Sequence, residues 1–182
     1  MMSKMSGTTG SRRTEMPDTV TLRPYEDGDE AFLLEAIPAF WRTHHANVTA
    51  EEARKDLDAW TGEGHTLYLI LSHGEPAGFL HMGSRGSECD WLEDIFVLEA
   101  LRGRGIGSAA MERAWELLRA QGLETMYLEV VPANAAAIRL YYRLGFTNLN
   151  TLTLNRSVKE KQQLGTETVS GLTFKTYRPN NG

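Results

Sequence analysis

The sequence predicts a single α/β domain: a mixed, twisted sheet of about six or seven strands with helices on both faces. Three observations carry that expectation. The 182 residues suit one domain with a full core. Short apolar runs alternate with stretches of helical period in the order β-α-α-β-β-β-α-β-α-β-β. A glycine-rich turn, Arg102-Gly103-Arg104-Gly105-Ile106-Gly107-Ser108, joins an apolar strand to an amphipathic helix. The domain is taken as residues 18–182. Residues 1–17 are Ser, Thr, Gly, Met and Arg without periodicity and are expected to form a disordered arm.

The first strand is Val20-Thr21-Leu22-Arg23-Pro24-Tyr25. Asp27-Gly28-Asp29 offers a turn and a cap for a helix from Glu30 to His44, with Phe32, Leu33, Ala36, Ile37 and Phe40 on one side. Pro38 should kink or split that helix, because it lacks an N–H and its ring clashes with the preceding turn. Thr49 and Glu52 form a capping box for a second helix reaching about Trp60. A meander follows: His65 to Ser72, a turn at His73–Pro76, Ala77 to Gly83, a turn at 84–88, and Trp91 to Leu98. The glycine-rich turn opens a helix to about Gln121, striped by Ile106, Ala110, Ala114, Leu117 and Leu118 and stopped by Gly122. Met126 to Val131 is a nearly continuous apolar run, which predicts a central strand, and Pro132 ends it. Asn134 caps a helix to Leu144, and Gly145 stops it. Phe146 to Leu154 and Thr168 to Tyr177 read as strands, separated by a polar connection around 159–163.

Composition narrows the function. Apolar residues make up 41% and charged residues 24%, as in a globular protein, and the net charge of −5 argues against a nucleic-acid partner held by a basic face. No apolar run approaches the roughly 20 residues that span a bilayer, so no membrane partner is expected. Lys4, Arg12 and Arg13 precede no apolar segment, so no secretory signal is expected either. With Cys89 as the one cysteine, no internal disulfide can form, and a cytoplasmic setting is expected.

The glycine-rich turn is built to hold an anion. Glycines let backbone N–H groups approach a phosphate closely, the helix N-terminus adds about half a positive charge, and Arg102 and Arg104 add full ones. A mononucleotide loop would need Lys-Ser/Thr after its last glycine, and a dinucleotide fingerprint would need Gly where Ser108 stands. Neither fits. Other candidates have bland readings: His44 and His45 are sequence neighbours that do not share a helix face, and Cys89 lacks a partner pattern for a nucleophile. The acidic group Glu26, Asp27, Asp29 and Glu30 either attracts a cation or favours a helix start. Trp41, Trp60 and Tyr142 read as packing.

The run from Trp91 to Phe146 resembles the acetyl-CoA-binding core of the GNAT superfamily of N-acetyltransferases. Arg102-x-x-Gly105-x-Gly107 resembles its Arg/Gln-x-x-Gly-x-Gly/Ala signature. Asn134 and Ala137 follow at family spacing, and Leu140-Tyr141-Tyr142-Arg143-Leu144-Gly145-Phe146 matches the Leu-Tyr-x-Lys/Arg-x-Gly-Phe ending. The strand Leu92-Glu93-Asp94-Ile95-Phe96-Val97 looks most like the diamine and polyamine acetyltransferase branch.

The resemblance implies a GNAT fold and acetyl transfer from acetyl-CoA to an amine in a ternary complex, with no metal. Gly103, Arg104, Gly105, Ile106, Gly107 and Ser108, with Arg102, would hold the pyrophosphate. Phe96, Val97 and Leu98 would pair with the pantetheine amides, and Val97 N–H would serve the oxyanion. Asn134 would reach the pantetheine or only cap its helix, and Ala137, Tyr141 and Arg143 complete the cofactor side. An alkylamine with a pKa of about 10.4 is mostly protonated at neutral pH, so a base is needed. Glu93 matches the base of the polyamine branch. Asp94, expected on the opposite face of the strand, and a water chain stay as alternatives. Tyr141 matches the family's general acid for the leaving thiolate. The acceptor is a small amine or polyamine, an amino acid or a protein amine, walled by residues 30–60. A homodimer is the family's common assembly. An idle acetyl-CoA sensor or scaffold, and transfer to an alcohol or hydroxylamine, are the competing functions.

Overall fold

A computed structural model describes residues 19–86, 88–156 and 163–177. The predicted arm at 1–17 lies outside the described residues, as does most of the polar connection at 159–163. The elements are β1 (Val20–Pro24), a 3₁₀ turn (Asp27–Asp29), α1 (Glu30–Thr43), α2 (Ala50–Trp60), β2 (His65–Ser72), β3 (Glu75–Gly83) and β4 (Trp91–Val97). A second 3₁₀ turn (Glu99–Leu101), α3 (Ile106–Ala120), β5 (Tyr127–Leu128), α4 (Ala135–Arg143), β6 (Gln163–Val169) and β7 (Leu172–Tyr177) follow.

The main sheet has five strands in the order β1-β2-β3-β4-β5. Its first four are antiparallel neighbours, and β5 joins β4 in parallel, so the sheet is mixed as expected. Alternation along the strands sends side chains to two cores. On one face α1 and α2 bury Leu33, Ile37, Phe40, Leu57 and Trp60 against Leu67, Leu69, Phe79 and Phe96. On the other, α3 buries Ile106, Ala110, Met111 and Ala114 against Ile70, Leu80, Met82 and Leu92. Each fully buried Leu, Ile or Phe stabilises the fold by roughly 1.5–3 kcal/mol. Among the described residues no helix is long and apolar enough to cross a membrane.

Local chemistry explains the element ends. Thr49 Oγ1 accepts from Glu52 N at 3.2 Å, and Glu52 Oε2 accepts from Thr49 N at 2.7 Å, which completes the predicted capping box. Asn134 Oδ1 accepts from Ala137 N at 3.1 Å and starts α4. Gly122 and Gly145 follow α3 and α4 with φ of 86° and 92°.

Five expectations change. Pro38 lies within α1 without splitting it, and the buried Ile37 and Phe40 beside it anchor the helix on the sheet. The run Met126–Val131 yields only Tyr127–Leu128 as strand, at the edge of the sheet and not its centre. Phe146–Leu154 forms no strand: β propensity needs a partner edge, and Leu149, Leu152 and Leu154 stand exposed. The last predicted strand, Thr168–Tyr177, is divided: β6 and β7 pair as a hairpin around Ser170 and Gly171, both at positive φ. Tyr142, expected to pack, is 65% exposed.

Candidate active site

β4 and β5 pair at only two positions, Trp91↔Tyr127 and Leu92↔Leu128. Beyond them β4 runs on to Val97 without a neighbour on that side among the described residues, so the sheet opens into a fork. The open edge is polar backbone, and its orientation can be read. Leu98 N donates to Ala77 O of β3 at 2.9 Å. Backbone groups alternate sides along a strand, so Val97 turns its N–H and C=O to the open edge. Phe96 and Leu98 turn theirs to β3; the Phe96 carbonyl lies against Gly78. Of the three residues expected to pair with an extended ligand, Val97 is the one whose backbone faces the fork.

The glycine-rich turn sits at the end of that edge. Gly103 and Gly105 have φ of 75° and 79° with open space around their Cα atoms, a conformation that costs L side chains about 1–2 kcal/mol. Gly105 is the N-cap of α3, and no side chain caps that helix. The first N–H groups of α3 are thereby left for a ligand, which fits a pyrophosphate. Gly107 faces the Val97 side chain, 3.6 Å from where a Cβ would stand, so the helix start lies directly on β4. Ile106 is buried and Ser108 half-buried. Arg102 Nε donates to Val97 O at 2.9 Å with its guanidinium 5.3 Å from the Phe96 ring centre, and Arg104 donates to Ala100 O at 3.0 Å. Both arginines are exposed beside the turn.

On α4, Tyr141 is half-buried against the α3-side core and edge-on to Phe146 at 6.0 Å between ring centres. Burial raises its phenol above the ordinary value, so the hydroxyl stays protonated and able to donate. Asn134 is engaged as the α4 cap, Ala137 is half-buried and Arg143 is exposed.

The carboxylates are arranged differently from a regular strand. A bulge at His81/Met82 sets His81 opposite Asp94 and Met82 opposite Leu92. The extra residue is Glu93, and the bulge brings Glu93 and Asp94 to the same face, the one covered by α1 and α2. Gly83 makes room for Glu93: a Cβ there would stand 2.9 Å from Glu93 Cγ and 3.3 Å from His65 Nδ1. Asp94 Oδ2 lies 2.9 Å from Nδ1 of the buried His81, and His81 Nε2 lies 2.9 Å from His65 Nδ1. Trp60 stacks on His81 at 5.0 Å between ring centres. An ionised Asp94 only accepts, so in the neutral chain His81 Nδ1–H donates to it and His65 Nδ1–H donates to His81 Nε2.

Glu93 is also held. Arg85, between β3 and β4, donates to both Glu93 oxygens at 3.1 and 2.9 Å and to Glu129 at 2.6 Å. Arg85, Glu129, His65 and His81 were not legible as site residues. Their sequence signal is weak: Glu93 and Glu129 each follow the last paired residue of β4 and β5, a coincidence visible only once register is known. The acidic group at 26–30 is largely spent on its own chain. Asp29 pairs with Arg23 and Glu30 with Arg54.

The chain is similar to known proteins in sequence and in fold. The sequence matches the Acetyltransferase (GNAT) family over residues 33–146, more than half of the chain. It is 31% identical over 162 residues to a mycothiol acetyltransferase of Paenarthrobacter aurescens, covering 82% of this chain and 49% of that protein. It is 35% identical over 85 residues to the streptothricin acetyltransferase of Streptomyces lavendulae, covering 46% of this chain and 45% of that one. The chain spans about half the length of the curated relatives it matches. An aminoglycoside N-acetyltransferase solved in complex with CoA superposes with a TM-score of 0.60 at 17% identity, covering 76% of this chain and 95% of that one, a likeness of fold.

Proposed function

This chain belongs to the acetyltransferase (GNAT) family, and on that footing we propose that it moves an acetyl group from acetyl-CoA to an amine by direct attack. The observation that carries the reading is the fork: an unpaired β4 edge leading from an uncapped, glycine-lined helix start. The α3 N-terminus with Gly103–Ser108 would hold the pyrophosphate, and the pantetheine arm would lie along the open β4 edge at Val97, whose carbonyl is held by Arg102. The acetyl thioester supplies the electrophile; the remaining steps belong to this chain.

Val97 N–H, turned to the open edge, is the donor for the oxyanion. The proton lost by the attacking amine goes to a carboxylate on the α1/α2 face, Glu93 or Asp94. The Asp94–His81–His65 chain holds Asp94 in one orientation. Tyr141 gives its proton to the departing thiolate, and burial in an uncharged setting keeps that proton in place until then. Nothing in this scheme requires a metal.

Thiol release from acetyl-CoA, measured across polyamines, monoamines, amino acids, aminoglycosides and peptides, tests the reading. At least one amine should support turnover, and Tyr141→Phe should lower that rate by about 10²-fold or more with acetyl-CoA affinity retained. CoA binding without release on any amine would mark the chain as a sensor or scaffold.

A further inference from the structure

The first unpaired residue on each arm of the fork is a glutamate, Glu93 on β4 and Glu129 after β5. In a parallel pair, residues at matching register send their side chains to the same face. The two carboxylates therefore face each other where the strands part, next to the position at which an acceptor amine must meet the thioester. Left alone they would present two like charges.

Arg85 stands between them. Its Nε and Nη2 grip Glu93 at 3.1 and 2.9 Å, and its Nη1 reaches Glu129 at 2.6 Å. The guanidinium lies 3.8 Å from the centre of the Trp91 ring, and Trp91 stacks on Tyr127 of β5 at 5.0 Å. The fork is thus bridged by a planar cation held on both arms and from below. A compact ammonium cannot reproduce the two-point fork on Glu93, so an incoming amine does not displace Arg85.

We propose that Arg85 sets the charge of the acceptor: it cancels one of the two negative charges at the fork, and the site takes amines with a single positive charge in preference to diamines and polyamines. The proposal rests on the acetyl-transfer reading. Arg85, Glu93 and Glu129 together carry one net negative charge, which one ammonium balances. Asp94, on the same face, is taken by His81 at 2.9 Å, so a second ammonium finds no unpaired carboxylate there and is repelled by the guanidinium. The strand Leu92–Val97 resembles the polyamine branch, yet Arg85, contributed from outside that strand, removes half of the acidity the glutamate pair would offer.

Thiol release with n-butylamine and putrescine tests this, because the pair matches in chain length and differs in the second charge. Where one of them is not turned over, its inhibition constant against an acceptor that is turned over replaces kcat/KM in the ratio. The wild-type protein should favour n-butylamine. Arg85→Gln should move the ratio towards putrescine by about tenfold or more, and Arg85→Lys, which keeps the charge, should stay within about threefold of wild type. Glu129→Gln should move the ratio the other way. A wild-type preference for putrescine, or the same ratio in wild type and Arg85→Gln, would overturn the proposal. Failure of the acetyl-transfer reading itself would show in the wild-type protein alone, as no thiol release with any amine.

Discussion

Gly78→Ala is the substitution whose effect the structure defines most sharply. Gly78 faces Val97 across β3 and β4, with Phe79 facing Phe96. A Cβ at position 78 would stand 1.9 Å from the Phe96 carbonyl oxygen, 2.9 Å from its carbon and 3.0 Å from Val97 Cα. All three atoms are backbone, so no side chain can swing aside. Ordinary contact for carbon starts near 3.5 Å, so the strands must separate by roughly 1.5 Å. Forced separation in a packed core costs about 1–3 kcal/mol. Weakening one or two ladder hydrogen bonds adds about 1 kcal/mol each. The total of roughly 2–5 kcal/mol leaves a domain of this size folded, with a melting temperature lower by roughly 5–15 °C. The displaced atoms include the backbone of Val97, so CoA affinity should fall with stability. Calorimetric melting and titration with CoA measure both. A variant that melts within about 2 °C of wild type and binds CoA unchanged would refute the claim that Gly78 is needed for β4 to approach β3.

Gly107 and Gly105 should respond differently to an added side chain. A Cβ at Gly107 meets Val97 Cγ2 at an ordinary 3.6 Å, and the signature admits Ala there, so Gly107→Ala should leave both the melting temperature and CoA affinity near wild type; a large loss of either would contradict that contact. Gly105→Val should lower both, since φ of 79° is strained for a branched side chain, and unchanged CoA affinity would remove the helix start from the binding site. Stability should also depend on pH through Arg23 and Asp29. The Arg23 hydrogen bonds hold the Asp29 carboxyl below the usual carboxylate range. Its contribution is therefore present above an unfolded value of about 3.9 and is lost as pH falls through the lower folded value. The denaturation midpoints of wild type and Arg23→Ala should differ at neutral pH and converge in acid, and a difference independent of pH would assign Arg23 a packing role instead.

How far the sequence could be read depended on the range of the forces involved. Capping boxes, the α3 stripe and the left-handed glycines are local: Thr49 with Glu52, and Asn134 with Ala137, act within one turn, so their signals are contiguous. The glycine-rich turn was legible for the same reason, because Gly103, Gly105 and the start of α3 are contiguous in the chain. The strand assignments that failed are those whose outcome depends on a distant partner. Phe146–Leu154 is rich in Thr and Leu but finds no edge to pair with, and Thr168–Tyr177 had to be divided at Ser170-Gly171 to make its own partner.

The amino-acid sequence by itself determined the α/β class, the glycine-rich turn and the family motif, since each is written in neighbouring residues. Only the tertiary structure decided the arrangement at the β4–β5 fork. One bulge opposite His81 turned Glu93 and Asp94 to a single face, and the short β4–β5 ladder set Glu93 beside Glu129 with Arg85 between them. Register and strand divergence arise from hydrogen bonds between segments far apart in the chain, and a one-residue change in either reassigns which charges meet.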